Sequence, residues 1–550
     1  MVKKIAQILG RKEKIKMAIL TIFDLIIGIL DIAFLGFLLL LINFYTKNNN
    51  TSNSRLLQLF SSGNPLLLPG LFFLLFSLKN WMGYLLTSAQ SSFFYEVSSR
   101  LSRQNILRYL NDDYINFVAI DSSVRIRKIS QQPIEFSNYI LTNVQSVVSQ
   151  GILICCTIIG IFCYHPSLFL LLFLLLSPPV IALAYFIRKK MKHIRAHTKI
   201  TGEKSIQHLQ ESLSGYIESN IYGKNDFFVD RYDRYQEQLN KNIATQQSLQ
   251  SLPSRLIEVF AVLGFFILIA INKWSMHTPF VDLLTIGIFM AASYKVIPGI
   301  VKILNSTGQI KTYSFILNDL LPEDKTGKVF NQSAEQIQSI KFQQTGFKYK
   351  QQSILKDFSF DLQPGDFVGI SGNSGQGKTT IINLILGFLT PDNGEIFFNH
   401  QSTTCFERQH YWQRISYVKQ QPFLINDSIL KNITFSDAGY DTERLADALS
   451  FAGIDRMSAQ CPDGDNHLIT ENGKNISGGQ RQRIMLARAI YHDFDLLILD
   501  EPFSEMDEKS EKEILTSLKL LAEKGKMIIM ITHHKASLSY CNQTILLNGD

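Results

Sequence analysis

Six mostly apolar stretches dominate the first 300 positions, near 18–45, 65–90, 134–163, 167–187, 255–273 and 279–302. Each has the length, about 20 residues, that crosses ~30 Å of hydrocarbon, so the pattern predicts six transmembrane helices. The second is interrupted by Lys79 and Asn80. Three connections, TKNNNTSNSR, HPS and NKWSMHT, are short and poor in positive charge. The other two, about 91–133 and 188–254, are long, charged and compatible with helix; Arg100, Arg103, Arg108, Arg125, Arg127 and Lys128 lie in the first. Past position 320 a polar stretch, PEDKTGKVFNQSAEQ, has no apolar period. Beyond it IKFQQTGFKY, SFDLQPGDFVGIS, GEIFFN, RISYVKQ, DLLILD and KMIIMIT read as strands, between helical segments such as TTIINLILGFL and EKEILTSLKLLA. That alternation predicts an α/β domain with a largely parallel sheet. The plan is an all-α transmembrane domain over 1–320, a linker over 321–337 and an α/β domain over 338–550, with no internal repeat.

Composition agrees with a membrane half and a soluble half. Hydrophobic residues make up 46% of the 550, with 39 Phe, high for a soluble enzyme. The net charge of +7 flanks the apolar runs: Lys3, Lys4, Arg11, Lys12, Lys14 and Lys16 precede the first, and Arg188, Lys189 and Lys190 follow the fourth. This positive-inside pattern puts both termini and the long connections in the cytoplasm, and six apolar runs argue against a nucleic-acid partner. The six cysteines show no paired ligand spacing and read as reduced structural thiols. The first run is too long for a signal h-region and lacks a small-residue cleavage site.

GNSGQGKT, Gly372 to Thr379, follows the strand DFVGIS and opens the helix TTIINLILGFL. It fits the phosphate-loop pattern, in which glycines let backbone amides curl around phosphate oxygens. Lys378 supplies a point charge to the β and γ phosphates, and the Thr379 hydroxyl suits Mg²⁺. LLILDEP is an apolar strand ending in two acids, which a buried strand tolerates only at its exposed carboxyl end. Asp500 is placed there to hold Mg²⁺ through water, and Glu501 to orient the attacking water. MIIMITHHK repeats the architecture with His533 at a strand end. NISGGQRQR sets Ser477, Gly478 and Gly479 before a helix carrying Arg481 and Arg483, which suits a γ-phosphate at a helix N-terminus.

The order FKY, GNSGQGKT, YVKQQPFL, NISGGQRQR, LLILDEP, SEMD, ITHH resembles the nucleotide-binding domain of ATP-binding cassette (ABC) proteins over about 338–550. The six upstream spans resemble the membrane domain of type I exporters, so the likeness covers nearly the whole chain and implies a half-transporter. It implies that Tyr349 stacks on adenine and that Gly372, Asn373, Ser374, Gly375, Gln376, Gly377, Lys378, Thr379 and Thr380 hold the phosphates. Gln420 would sense Mg²⁺ beside Thr379 and Asp500, Glu501 would be the catalytic carboxylate, His533 the switch histidine and Asp507 the D-loop acid. Ser477, Gly478, Gly479 and Gln480 would complete the site of an opposite cassette, which calls for a second copy or a related half. Short transverse helices near Tyr114–Val118 and Gly223–Phe228 would press on the cassettes. Ile476 stands where the family has Leu, SEMD replaces Ser-Ala-Leu-Asp, and the chain stops at LLNGD, before a further helix that related cassettes carry.

The implied activity is ATP hydrolysis driving export or flipping, in a multi-pass protein of the bacterial plasma membrane that contacts lipid and cargo. PSRLIE, with Glu258, and ASYKVIPGIVKILNS, with Lys295, resemble the fifth and sixth spans of lipid-linked oligosaccharide flippases and related exporters. A lipid-linked oligosaccharide, a lipid or a peptide is the expected cargo. No Cys and His pair precedes the spans, which argues against a leader-cleaving peptide exporter but leaves mature or cyclic peptides open. An ATP-gated channel or regulator is the remoter alternative, and there Glu501 would be replaced. Asp24 and Asp31 are seven residues apart, a helical drift of only ~20°, so they share a face. Two readings stand: pairing with Lys295 or a cationic cargo, or an interfacial Asp24 and an Asp31 bonded to a neighbouring helix.

Overall fold

The structure, a computed structural model, describes residues 1–46, 67–112, 114–164, 166–274, 283–321, 335–350, 352–373, 375–455, 464–470 and 473–547. Most of the 321–337 linker and Ser374 lie outside them. The chain forms two compact units. One is Met1–Asp112 with Val118–Gly327; the other is Lys328–Asp550 with the short segment Asp113–Phe117.

In the first unit the apolar runs are parts of helices Arg11–Thr46, Leu67–Leu110, Thr142–Tyr164, Pro166–Ser214, Asn225–Trp274 and Leu283–Thr312. Pro166 opens the fourth at the first helical position, where a missing N–H costs nothing. Asn225–Trp274 has 50 residues and is therefore about 75 Å long, more than twice the ~30 Å of hydrocarbon. The charged connections are accordingly continuations of the spans rather than separate loops. By length and composition alone, Arg11–Leu38 and Ser122–Ile159 are apolar and long enough to cross a membrane.

The third span is entered through two π-helical turns, Arg127–Gln131 and Phe136–Leu141. Arg127 is buried there, 3.3 Å from Glu203 and 3.6 Å from Glu135, with its guanidinium over the Phe315 ring. Phe93, Phe94, Val97, Phe136, Ile140 and Ile316 pack into an apolar cluster that also takes in Ile5 and Ile8 of the N-terminal helix.

One expectation is corrected here. The short helix expected at Gly223–Phe228 is Tyr216–Ile221 instead, while the one expected near Tyr114–Val118 is Tyr114–Ala119. Gly223, at φ +60°, turns the chain after Tyr216–Ile221, and the Lys224 amide bonds the Ser219 carbonyl at 2.7 Å, a glycine helix stop. The Gly223–Phe228 segment is thus a helix end and the start of the next helix. The Asp31 carboxylate accepts from Lys79 of the next span, in keeping with the reading that bonds Asp31 to a neighbouring helix; the Lys295 side chain, named in the other reading, lies outside the described residues. Lys79 is only 8% exposed in its side chain and also sits over the Phe76 ring. Asp24 is half-buried, and Glu258 is exposed and accepts from the Ser254 hydroxyl.

Replacing Lys79 by Leu removes this ammonium from the Asp31 carboxylate and is expected to cost up to ~3 kcal/mol. Thermal unfolding of the detergent-solubilised chain measures it. The Lys79→Leu/Asp31→Leu double variant should recover most of the loss, and simple addition of the two single effects would sink the pairing.

The second unit holds two sheets. β1 (Ile340–Tyr349), β2 (Gln352–Leu362), β4 (Asn393–Phe398) and β5 (Gln401–Ser402) form an antiparallel sheet in the order β2-β1-β4-β5. β3 (Phe367–Gly372), β6 (Ile415–Val418), β7 (Leu496–Asp500), β8 (Met527–Ile531) and β9 (Gln543–Leu547) form a parallel sheet in the order β6-β7-β8-β3-β9. The expected parallel sheet is present; the antiparallel one was not anticipated. The SFDLQPGDFVGIS run is two strands in different sheets, split by the turn in which Gln363 accepts from Asp366. Every residue of β7 and β8 is buried, consistent with strands covered on both faces. Tyr114 belongs to this unit, its ring stacked on Phe388 at 4.3 Å.

Candidate functional site

β6, β7, β8 and β3 are consecutive neighbours running in one direction, so their carboxyl ends lie side by side, where open α/β sheets bind ligands. The chain leaves β3 into the phosphate loop, β7 into Asp500 and Glu501, β8 towards His533 and β6 towards Gln420. Four motifs spread over 160 residues of sequence thereby meet at one edge.

Gly375 and Gly377 take φ of +83° and +93°, conformations that favour glycine, and Gly377 starts the helix Lys378–Ile385. A Cβ on Gly377 would lie 2.9 Å from the Ile354 side chain, so β2 packs against the loop. The Lys378 ammonium bonds the Gly372 carbonyl at 2.6 Å, the Asn373 carbonyl at 3.3 Å and His533 Nε2 at 3.0 Å. The Asn373 amide donates to Gln376 Oε1 at 2.5 Å, so this loop amide is turned to its own side chain. Thr379 is exposed on the first turn and Thr380 is buried. Tyr349 ends β1, the residue 48% exposed and its ring in edge contact with Phe347.

Glu501 adopts φ +49°, unusual for a residue with a side chain, and its amide is held by the Ile531 carbonyl at 3.0 Å. Its carboxylate accepts from Gln420 Nε2 at 2.8 Å and lies 3.1 Å from His533 Nε2. Asp500 beside it is 9% exposed. Burial first, and the neighbouring Glu501 charge second, push its carboxyl above the usual carboxylate range, against the Tyr417 hydroxyl and Lys378. Lys378, His533, Glu501 and Gln420 thus form one connected chain of polar contacts, with Asp500 beneath.

The signature residues stand apart from this group. Among the described residues no hydrogen bond or ion pair joins Ser477–Gln480 to Gly372–Thr380. Ser477 caps the helix Gly478–Tyr491: its hydroxyl accepts from the Gln480 amide, and its own amide donates to Gln480 Oε1 at 2.8 Å. Asp507 caps the helix Glu508–Glu523, accepting from the Ser510 hydroxyl at 2.6 Å and amide at 2.9 Å. These bonds, hydroxyl first, hold its carboxyl below the usual range.

Sequence reading missed Tyr417, whose hydroxyl reaches towards Asp500 at 3.5 Å, and Arg488. The buried Arg488 donates to the Phe423 carbonyl at 2.9 Å and the Asn432 carbonyl at 2.7 Å, pinning the segment after Gln420. Burial lowers its pKa to about 10. A cation at 488 in an otherwise apolar helical stretch was the available signal.

A family model described as "ABC transporter transmembrane region" matches residues 17–288, and one described as "ABC transporter" matches 355–504. An ATP-dependent lipid A-core flippase of Alkalilimnicola ehrlichii is 26% identical over 383 residues, 68% of this chain and 64% of that one, just under two thirds of its length. A flippase of the same name from Vibrio vulnificus is 28% identical over 416 residues, 73% of this chain and 70% of that one. A bacterial Atm1-family ABC exporter solved with ATP bound shares the fold: TM-score 0.77, 19% identity, 98% of this chain and 94% of that one covered. The chain therefore belongs to the ABC transporters, with the family's transmembrane region and cassette fused in one polypeptide of exporter fold.

Proposed function

We propose that this chain is one half of an ATP-driven exporter or flippase, working as a pair of identical chains or with a related half. Its cassette would face the cytoplasm from a bacterial plasma membrane. The observation that carries the reading is the meeting of Lys378, Gln420, Glu501 and His533 at one sheet edge, while Ser477–Gln480 stands apart. A phosphate loop without its signature is half a site, and a second chain supplies the rest.

ATP is the substrate. Lys378 and the loop amides bind its phosphates, and the exposed Tyr349 ring offers a face to the base. Glu501, held by Gln420 and His533, orients the attacking water and takes its proton. Magnesium fits the donors: the Thr379 hydroxyl, the Gln420 amide oxygen and the Asp500 carboxylate are hard oxygens, and Asp500 is a buried acid that a divalent cation would keep ionised. When bound, the ion neutralises charge on the phosphate oxygens.

Mixed pairs test the two-chain site. Lys378→Ala and Gly479→Asp chains, assayed at ATP concentrations near the parent's KM, are each expected to lose most of their hydrolysis alone. A mixed pair contains one intact loop facing one intact signature, so mixing should restore a fraction of the hydrolysis. No recovery in verified mixed pairs would put the signature outside the partner's site.

For the cargo, an amphiphile with a lipid anchor and a polar head is favoured, supported by the flippase names of the relatives. ATPase stimulation in nanodiscs by a lipid-linked glycan, a phospholipid and a small peptide checks it. Stimulation by the peptide alone would overturn the lipid reading.

A further inference from the structure

The residue that departs most from the family pattern in the D-loop is Glu505, where the resemblance calls for Ala. Its backbone is clamped to the signature helix: its amide donates to Gln482 Oε1 at 3.1 Å, and Gln482 Nε2 donates to the Ser504 hydroxyl at 2.8 Å. Gln482 is itself buried, 5% exposed. A Cβ placed on Gly479 would lie 3.0 Å from the Glu505 carbonyl oxygen, so the two segments are in close contact.

With its backbone held there, the Glu505 side chain folds over Gly478. A Cβ on Gly478 would stand 1.4 Å from Glu505 Oε2 and 2.5 Å from its Cδ, so only glycine leaves room for this carboxylate. Arg481 Nη2, one turn into the same helix, lies 3.2 Å from Oε2. The carboxylate is therefore seated between the amino end of a 14-residue helix and a guanidinium, an environment suited to an anion.

We propose that Glu505 is an internal occupant of the signature's anion site, a carboxylate standing where the γ-phosphate of the partner-bound ATP must come. This rests on the two-chain reading above. Two anions cannot share the place, so Glu505 withdraws before the cassettes close on nucleotide. Its side chain is 48% exposed and can swing out into solvent, so the obstacle is a threshold rather than a block. The chain consequently needs more ATP to pair its cassettes than it would with the family's alanine. An exposed ion pair and a helix-end charge together make the effect about three- to tenfold.

The experiment uses the full chain in nanodiscs with Glu505→Ala and the near-isosteric Glu505→Gln. Read-outs are the KM for ATP and, in a Glu501→Gln background, the ATP concentration at half-maximal cassette pairing, measured by interspin distances. Both Glu505 variants are expected to lower both values three- to tenfold. Nucleotide affinity of the unpaired cassette, measured in a Gly479→Asp background, should not move. Unchanged or raised values in both variants overturn the inference, as does an equal shift in the unpaired background. Pairing that depends on ATP but ignores Glu505 overturns this inference alone. No ATP-dependent pairing in the Glu501→Gln chain overturns the two-chain reading and this inference with it.

Discussion

Glu501→Gln is expected to abolish steady-state ATP hydrolysis in the intact chain, to leave nucleotide binding in place and to let closed pairs accumulate. Glu501 is the acid at the end of β7 whose carboxylate is held by Gln420 at 2.8 Å and lies beside His533 at 3.1 Å. Glutamine keeps the volume and an oxygen for the Gln420 amide, but it takes no proton from water. Removing a positioned base costs about 10²–10⁴ in rate. Single-turnover hydrolysis and a nucleotide-binding assay on one preparation separate the two effects. A kcat within about twofold of the parent would remove Glu501 from the reaction.

Lys378→Ala is expected to weaken nucleotide binding about 10- to 100-fold, the effect of losing a hydrogen bond between charged groups. The ammonium stands at the mouth of the loop, tied to the Gly372 and Asn373 carbonyls and to His533. In the proposed mechanism nucleotide phosphate would recruit it from those partners, so its removal should act on affinity before it acts on turnover. Lys378 is half-exposed, and an unchanged melting temperature is expected to accompany the loss. Equilibrium binding of a fluorescent nucleotide measures it, and parental affinity would dissociate Lys378 from the phosphates.

Much of the site was legible because its chemistry is written in adjacent residues. Gly375 and Gly377 are needed where the backbone takes positive φ, and Asp500 and Glu501 follow an apolar strand because a buried strand tolerates acids only at its open end. What was not legible depends on residues far apart. Ile340 pairs with Phe398, and an alternating pattern specifies a strand without naming its partner, so the antiparallel sheet was not foreseen. Lys79 read as an interruption of a span until Asp31 lay against it. The helix Tyr216–Ile221 was misplaced because apolar residues lie on both sides of Gly223, Ile217 and Ile221 before it and Phe227 and Phe228 after it, and the positive φ of Gly223 is a property of the folded turn.

The chain's own order of residues determined the element types, the division into a helical and an α/β half, and the chemistry at each strand end. Only the tertiary structure decided that Gln420, Glu501, His533 and Lys378 share one edge, since the order β6-β7-β8-β3 is set by the packing of buried strands against one another. It also decided that Glu505 lies on Gly478, through the buried Gln482 that clamps the D-loop to the signature helix. Local pattern specifies what a segment can become; which segments meet is settled by the burial of apolar surface and the pairing of every polar group left inside.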